Sequence, residues 1–415
     1  MEAGTILLIM ALIGGAYMAW AMGANDVANA FGTSVGSGAI TVLRAVLIAS
    51  VFEFVGAVLV GGHVSKTISS DIIDLSGVNL SATHIALGLV CALMASSAWC
   101  HYATARGWPV SSTHAIVGAV LSIGVIFAGA QAVNWSKTIS IVCSWIVSPV
   151  LGALLAIFAY RAFVVPIYAS EQPTRQLRRV MPAITGLVFC MIVFSVLYKG
   201  FTGLNLSLTF WNALAISGVF GLLTALIAHL LLNRRKLEEA STYLQRVKQT
   251  EPVFATLQII TACYMSFAHG ANDVSHAAGP LATVVEVLKT GKVGSEVSVS
   301  PWLLAFGGLG IVVGLATYGY KVIATIGKKI TAITPSRGFA AEFGCATTVL
   351  LAAKLGIPVS TSHTIVGAVV GVGLVRGLRS LDLRVLRDIG GSWVLTIPAS
   401  GLLTAVLYFA LSPLL

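Results

Sequence analysis

The sequence predicts an all-α, polytopic membrane protein with about ten to twelve membrane segments of roughly 20 residues each. Three observations carry that prediction: an apolar, charge-poor composition, a train of long hydrophobic runs, and two polar motifs that each occur twice. Of 415 residues, 57% are hydrophobic and 10% charged, whereas a soluble domain carries about 25% charge. Mean hydropathy is +0.92. A bilayer core of roughly 30 Å takes about 20 helical residues, so the runs and their short loops leave little chain for a soluble domain. Composition therefore argues against a globular enzyme and against a nucleic-acid partner. The net charge of +10 has a different source, because the basic residues fall mainly between apolar runs, where they set orientation.

In chain order the apolar runs fall near 5–22, 41–62, 83–105, 109–130, 138–163, 183–199, 207–232, 253–269, 303–327, 339–355, 358–375 and 389–411, each long enough to read as a helix. The first follows Met1-Glu2-Ala3-Gly4, with no basic leader region and no cleavage site, and is expected to be a retained span. The second and tenth carry Glu53 and Glu342. The fourth and eleventh open on Pro109 and Pro358, which end the helices before them. The stretches 23–40 and 270–288 are rich in Gly, Ala and Asn and are expected as helices buried inside the bundle. Three connecting segments carry basic clusters: Arg175, Arg178 and Arg179; Arg234, Arg235, Lys236, Arg246 and Lys248; and Arg376, Arg379, Arg384 and Arg387. The positive-inside rule places all three in the cytoplasm, and the two spans between the first and second clusters agree with that. Segment 233–252 is the longest polar stretch and reads as a surface helix or linker. The resulting organisation is a first repeat over 1–165, connecting transmembrane helices over 166–232, a cytoplasmic linker over 233–252 and a second repeat over 253–415. All six cysteines lie in apolar runs without a Cys-x-x-Cys pair and are expected as buried free thiols.

The halves repeat. Gly23-Ala24-Asn25-Asp26-Val27 recurs as Gly270-Ala271-Asn272-Asp273-Val274, 247 residues on. The run from Pro109 to Val120 recurs from Pro358 to Val369, 249 residues on, with nine of twelve positions identical. Two collinear polar motifs at nearly one offset mean an internal duplication, common in secondary transporters, where the binding site lies between the repeats near the midplane. An odd number of crossings per unit makes the second copy inverted, and the sequence favours that reading.

Asp26, Asp273, Glu53 and Glu342 sit in or beside apolar helices. An acidic residue at the bilayer centre costs roughly 2.5–3.5 kcal/mol. Four of them approach the whole net stability of a fold, about 5–15 kcal/mol, so they face protein, a cation or water. Asn25 and Asn29 share a helix face with Asp26 if the helix continues, and Gly23 allows local unwinding that would free carbonyls. Carboxylate, amide oxygen and free carbonyl together suit Na⁺ or another hard cation, with Na⁺ at Asp26 and Asp273. His276 takes the place of Asn29 in the second copy, either making the two sites unequal or simply packing. The alternative for all four acids is a carboxylate pinned by helix-end N–H groups or hydroxyls.

The second motif places Ser111, Ser112 and Thr113, or Ser360, Thr361 and Ser362, at the start of a helix. Hydroxyls there cap free N–H groups, and the positive dipole end attracts anions. A tetrahedral oxyanion held between two such helix starts is the sharper reading, and plain capping the blander one. His114 and His363 follow directly as candidates to donate to the anion, relay a proton or fix the loop. Neither motif contains Arg or Lys, so an anion beside Asp26 and Asp273 is repelled unless cations lie between them. Residue chemistry alone thus gives an ion-coupled anion carrier. An intramembrane aspartyl protease would need a Gly-x-Gly-Asp motif, which is absent, and a channel would conduct without saturable, gradient-driven uptake.

Gly23–Thr41 (GANDVANAFGTSVGSGAIT), Gly270–Pro280 (GANDVSHAAGP) and the PVSSTH and PVSTSH segments resemble the inorganic phosphate transporter (PiT) family over nearly the whole chain. The resemblance implies an inverted-repeat fold with re-entrant helical hairpins at PVSSTH and PVSTSH, a homodimer, and a multi-pass place in the cell (inner) membrane. It implies phosphate symport driven by Na⁺ or, in many bacterial members, by H⁺ with metal-phosphate as substrate; sulfate is the rival oxyanion. No cofactor beyond the transported ion is implied, and no enzymatic activity. Gly32–Thr41 looks more like the sodium-coupled branch. Carried over by motif, Asn25, Asp26, Asn272 and Asp273 serve cations and substrate, and the two hydroxyl triplets serve phosphate. The sequence departs from the pattern at His276, where the family commonly has Asn, and at Leu93, where a direct repeat of Glu342 would fall. Both departures weigh against symmetric cation sites.

Overall fold

A computed structural model describes residues 3–62, 72–73, 80–198, 208–234, 242–291, 299–355, 357 and 359–415. Among them the chain is helical, and the one strand-like pairing is a single bridge between Ile73 and Val133. The helices are α1 (Ala3–Gly36), α2 (Val42–Val60), α3 (Ala82–Ala105), α4 (Ser112–Ala128), α5 (Trp135–Ala159), α6 (Pro173–Leu197), α7 (Phe210–Arg234), α8 (Tyr243–Thr290), α9 (Pro301–Tyr318), α10 (Pro335–Lys354), α11 (Thr361–Leu374) and α12 (Leu383–Leu411). Nine helices among the described residues are long and apolar enough to cross a membrane, short of the ten to twelve segments expected.

Three of the twelve apolar runs make the difference: α4 and α11 are short, and α10 is not among the nine. The runs 5–22 and 23–40 are one 34-residue helix, α1. The runs 253–269 and 270–288, with the end of the polar segment 233–252, are one 48-residue helix, α8. A helix of that length spans about 72 Å, more than twice the bilayer core. Thr242 starts it with a reciprocal capping box to Gln245; residues 235–241, including Arg235 and Lys236, lie outside the described residues, as does Pro358. In the other direction, α4 and α11 are only 17 and 14 residues long. At about 1.5 Å per residue they fall short of a roughly 30 Å core.

The unwinding expected at Gly23 does not occur. The backbone stays helical through both Gly-Ala-Asn-Asp motifs, and the glycines serve close helix crossings instead. A Cβ on Gly23 would stand 1.9 Å from the Ile311 carbonyl oxygen of α9, and one on Gly270 would stand 2.1 Å from the Glu53 carbonyl oxygen of α2. Close backbone approach of this kind is how helices associate in lipid, where burial of apolar area gives no driving force.

The packing is reciprocal between the halves. α1 packs on α3 and α9, α8 packs on α10 and α2, and α1 and α8 pack on each other at the centre. Every residue from Ala21 to Ser34 and from Tyr264 to Val284 is buried. α4 packs on α12 of the second half, and α11 on α5 of the first. Outer faces carry large apolar side chains in the open, such as Leu222 at 74% and Val394 at 75% exposure, which a lipid environment accounts for. The six cysteines are free as expected, but only Cys91, Cys100 and Cys345 are buried. Cys143 is exposed on the outer face of α5, because an apolar run in a membrane helix has a lipid side as well as a protein side.

Candidate functional site

The two Asp-bearing stretches of α1 and α8 meet the starts of α4 and α11 in the middle of the bundle. Asp26 Oδ1 accepts from Ser362 Oγ at 3.0 Å and from Asn29 Nδ2 at 2.9 Å. Asp273 Oδ2 accepts from Ser112 Oγ and Thr361 Oγ1, both at 3.4 Å, while its Oδ1 accepts from Asn272 Nδ2 at 2.7 Å. Hydroxyls from both helix starts therefore converge on two carboxylates that are themselves wholly buried. Among the described residues no Lys or Arg is buried, so no fixed cationic side chain offsets these charges.

The two starts are also tied to each other. Thr113 Oγ1 donates to the Val359 carbonyl at 3.2 Å, and Ser362 Oγ, its repeat counterpart, lies 3.0 Å from the Val110 carbonyl. Ser111 and Ser360 do something else: each Oγ accepts the backbone N–H three residues on, His114 or His363, at 3.2 Å. These are helix caps, and a hydroxyl that accepts still has its own proton to give. The first hydroxyl of each triplet thus follows the capping reading, while the second and third reach across the helices.

Asn29 Nδ2 contacts Thr361 Oγ1 at 3.2 Å and Ser362 Oγ at 2.9 Å. His276 occupies the matching place, with Nε2 3.2 Å from Thr113 Oγ1. Thr113 has a single proton, committed to Val359, so His276 Nε2 is the donor. Asn25 turns away from the hydroxyls: its Nδ2 donates to Thr104 Oγ1 at 2.8 Å and to the Trp108 carbonyl at 3.0 Å. Asn272 Nδ2 also reaches the Val359 carbonyl at 3.2 Å. Side-chain oxygens of Asn25, Asn29 and Asn272, and Asp26 Oδ2, are buried without a hydrogen-bond partner. A buried oxygen without a donor is costly, and three such amide oxygens beside two carboxylates, one with its own Oδ2 unpartnered, are the chemistry of a site for hard cations.

Glu53 and His269 make the arrangement one-sided. His269 Nδ1 is 2.6 Å from Glu53 Oε2, and its Nε2 is 2.9 Å from Asp273 Oδ2. The second contact is close but not aligned with the ring N–H, so it is an electrostatic contact rather than a linear hydrogen bond. Asp26, His269 and Asp273 each offer a ligand atom within 4.8 Å of the others. His269 lies four residues before Asp273 on one helix face, and it was missed in sequence because Met22 holds its place in the first copy. That break in the repeat was the available signal.

Glu342 stands apart. Its Oε1 accepts from Thr33, from Ser34 Oγ at 2.6 Å and from Gln258 Nε2 at 3.2 Å, and its Oε2 accepts from Thr261 Oγ1 at 2.9 Å. This acid is a carboxylate pinned by hydroxyl and amide donors. His114 and His363 brace the helix starts. Their Nδ1 atoms lie 3.2 and 3.1 Å from the carbonyls of Trp393 and Trp145, and their rings pack at 3.8 and 3.7 Å on Trp145 and Trp393 respectively. A third repeated element supplies those partners, Ser144-Trp145 and Ser392-Trp393, which sequence reading had passed over.

Comparison with known proteins gives a consistent picture. The sequence pattern of the phosphate transporter family matches residues 22–404. A relative named as a phosphate permease in Pyrococcus abyssi is 44% identical over 401 residues, 97% of either chain. The chloroplastic inorganic phosphate transporter 2-1 of Arabidopsis thaliana is 41% identical over 97% of this chain and 72% of its own length. A solved structure of a sodium-dependent phosphate transporter superposes with a TM-score of 0.90 at 40% identity, covering 99% of this chain and all of that one.

Proposed function

From the premise that this chain belongs to the phosphate transporter family and is a multi-pass phosphate permease, not an enzyme, we propose that it is a cation symporter in which Na⁺ bound at Asp26 and Asp273 makes the two helix starts competent to hold phosphate. One observation carries this reading: hydroxyls of both helix starts rest on the two buried carboxylates. Phosphate oxygens compete for the same donors. An anion placed there faces two acids with no buried Lys or Arg among the described residues to offset them, and a cation on each acid removes both problems. It replaces the hydrogen bonds the carboxylate gives up, and it cancels a repulsion that a low-dielectric interior makes severe.

In this scheme Ser112, Thr113, Thr361 and Ser362 donate to phosphate oxygens. Ser111 and Ser360 add their protons while capping the helices, whose first N–H groups have no partner within the helix. Asn29, Asn272 and Asn25 offer their unpartnered amide oxygens to the cations, and Asn25 and Asn272 also border the anion. His114 and His363 hold the starts in register against the helices that cross them. Sodium is favoured over other ions by the carboxylate and unpartnered amide oxygens near Asp26 and by the likeness to a sodium-dependent transporter. A proton-coupled reading has one observation in its favour, the imidazole of His269 between Glu53 and Asp273, a group able to take up and release a proton.

We read the halves, 1–165 and 253–415, as inverted repeats joined by α6, α7 and the 233–252 linker. The reciprocal contacts of Gly23 with Ile311 and Gly270 with Glu53 support it. The short α4 and α11 are then arms of re-entrant hairpins, the protein sits in the cell membrane, and two copies form the dimer. The deciding experiment is phosphate uptake into proteoliposomes with Na⁺ and H⁺ gradients imposed separately. Uptake driven by the Na⁺ gradient alone is expected. Uptake driven only by H⁺ moves the coupling to His269, and sulfate outcompeting phosphate overturns the substrate.

A further inference from the structure

Away from the site, α6, α7 and the first half of α8 enclose a groove of about 500 Å³, within the roughly 300–1,000 Å³ of ligand sites. Three threonines line it, Thr185, Thr224 and Thr256. Each turns its hydroxyl back onto its own helix, to the carbonyls of Met181, Phe220 and Pro252 at 2.9, 2.9 and 3.2 Å. Their hydroxyls are thus already paired, and the wall of the groove is mostly hydrocarbon. α7 is the least buried of the spans, at 11% of its apolar window, and α6 at 22% is level with α12. α6 and α7 cross at Gly186 and Gly221, where a Cβ on either would stand 2.7 Å from the other's carbonyl oxygen.

The three lining stripes run towards one end of the molecule, and each reaches a basic residue there. On α6, Arg178 precedes the lining residue Met181 by three positions; on α7, Arg234 follows Leu231 by three; on α8, Arg246 precedes Val253 by seven. Spacings of three and seven keep a residue on the same helix face. Arg175 and Arg179 lie beside them, both exposed. An apolar slot open among the outer helices, with arginines a turn or two beyond its lining at one end, has complementary parts for one kind of molecule.

We propose that this groove is a binding site for an anionic phospholipid, with an acyl chain between α6, α7 and α8 and the phosphodiester against the arginines at the cytoplasmic end. Basic pockets between transmembrane helices hold lipid headgroups in this way. Hydrocarbon fills the groove without leaving a polar group unpaired, and guanidinium pairs with phosphate oxygens in two-point fashion.

The test is native mass spectrometry of the purified full-length protein titrated with phosphatidylglycerol or phosphatidylcholine, with thermal melting alongside. The wild type is expected to retain phosphatidylglycerol at least fivefold better than phosphatidylcholine and to melt higher with it. The double change Arg178→Gln, Arg234→Gln, at one half-buried and one exposed position, should abolish that preference, and Ala228→Phe, which fills the groove, should lower retention of both lipids. Equal binding of the two lipids by the wild type, or an unaltered preference in the arginine variant, overturns the proposal. So does a wild-type dimer that Ala228→Phe turns into a monomer without change in lipid retention, because the groove is then an interface between copies.

Discussion

At the scale of single residues, the centre of the protein balances hydroxyl donors against too many acceptors. Asp26 and Asp273 hold donors that a phosphate also needs, so charge at these two positions matters more than shape. Asp26→Asn and Asp273→Asn keep volume and an acceptor oxygen but remove the charge; each is expected to abolish phosphate uptake in proteoliposomes while the protein still inserts and purifies as folded. Wild-type uptake by the double variant would remove the cation sites from the mechanism. The hydroxyls make a graded prediction. A hydrogen bond to a charged group contributes about 1.5–3 kcal/mol, so Ser112→Ala, Thr361→Ala or Ser362→Ala should weaken apparent phosphate affinity by about tenfold to a hundredfold. Ser111→Ala removes a cap worth about 1 kcal/mol and should also lower the melting temperature. Leu87→Ala, buried in α3 without a polar partner, should cost stability and leave affinity nearly unchanged. Equal affinities across all these variants would reduce the hydroxyls to caps.

At the scale of elements, the long helices α1 and α8 carry the chemistry because two glycines let neighbouring backbones come within contact distance. Gly23→Ala forces a Cβ into the Ile311 carbonyl of α9, and Gly270→Ala forces one into the Glu53 carbonyl of α2. No flexible side-chain end gives way at either point. Both variants are therefore expected to melt below the wild type, as read by thermal unfolding of the purified protein. Gly218→Ala on α7 has open space around its new methyl and gains up to about 1 kcal/mol of helix propensity, so it should melt no lower than wild type. A melting point for Gly23→Ala equal to that of Gly218→Ala would show that the crossing tolerates separation. The same crossing sets Glu53 on His269, since the backbone that Gly270 touches belongs to Glu53 itself.

At the scale of the whole molecule, orientation follows from the basic clusters and from the polar start of α8. Leu244, exposed at 63% near that start, offers a reporter. In a cysteine-free background, Leu244→Cys should react with a membrane-impermeant maleimide only from the cytoplasmic side. Labelling in intact cells would reverse the orientation of every span. The exchange of partners between halves, α4 on α12 and α11 on α5, also means that neither half can move its helix start without dragging a span of the other. Alternating access in this protein is then expected as concerted motion of both halves around the carboxylates.

By itself the sequence determined the class of fold, the duplication and the list of polar residues, because each is written in local signals. Hydropathy marks the spans, and a repeated Asp or hydroxyl triplet in apolar surroundings is costly enough to demand a use. Tertiary structure alone decided what those residues touch. Gly23 reads as a point of unwinding in sequence and is a close crossing in space, because the deciding contact with Ile311 lies 288 positions away. Nothing near Glu342 in the chain announces Thr33, Ser34 and Thr261 as its donors, and Glu53 meets His269 only because α2 is pressed onto α8. Local chemistry names the groups, while partners come from helices that sequence separation hides.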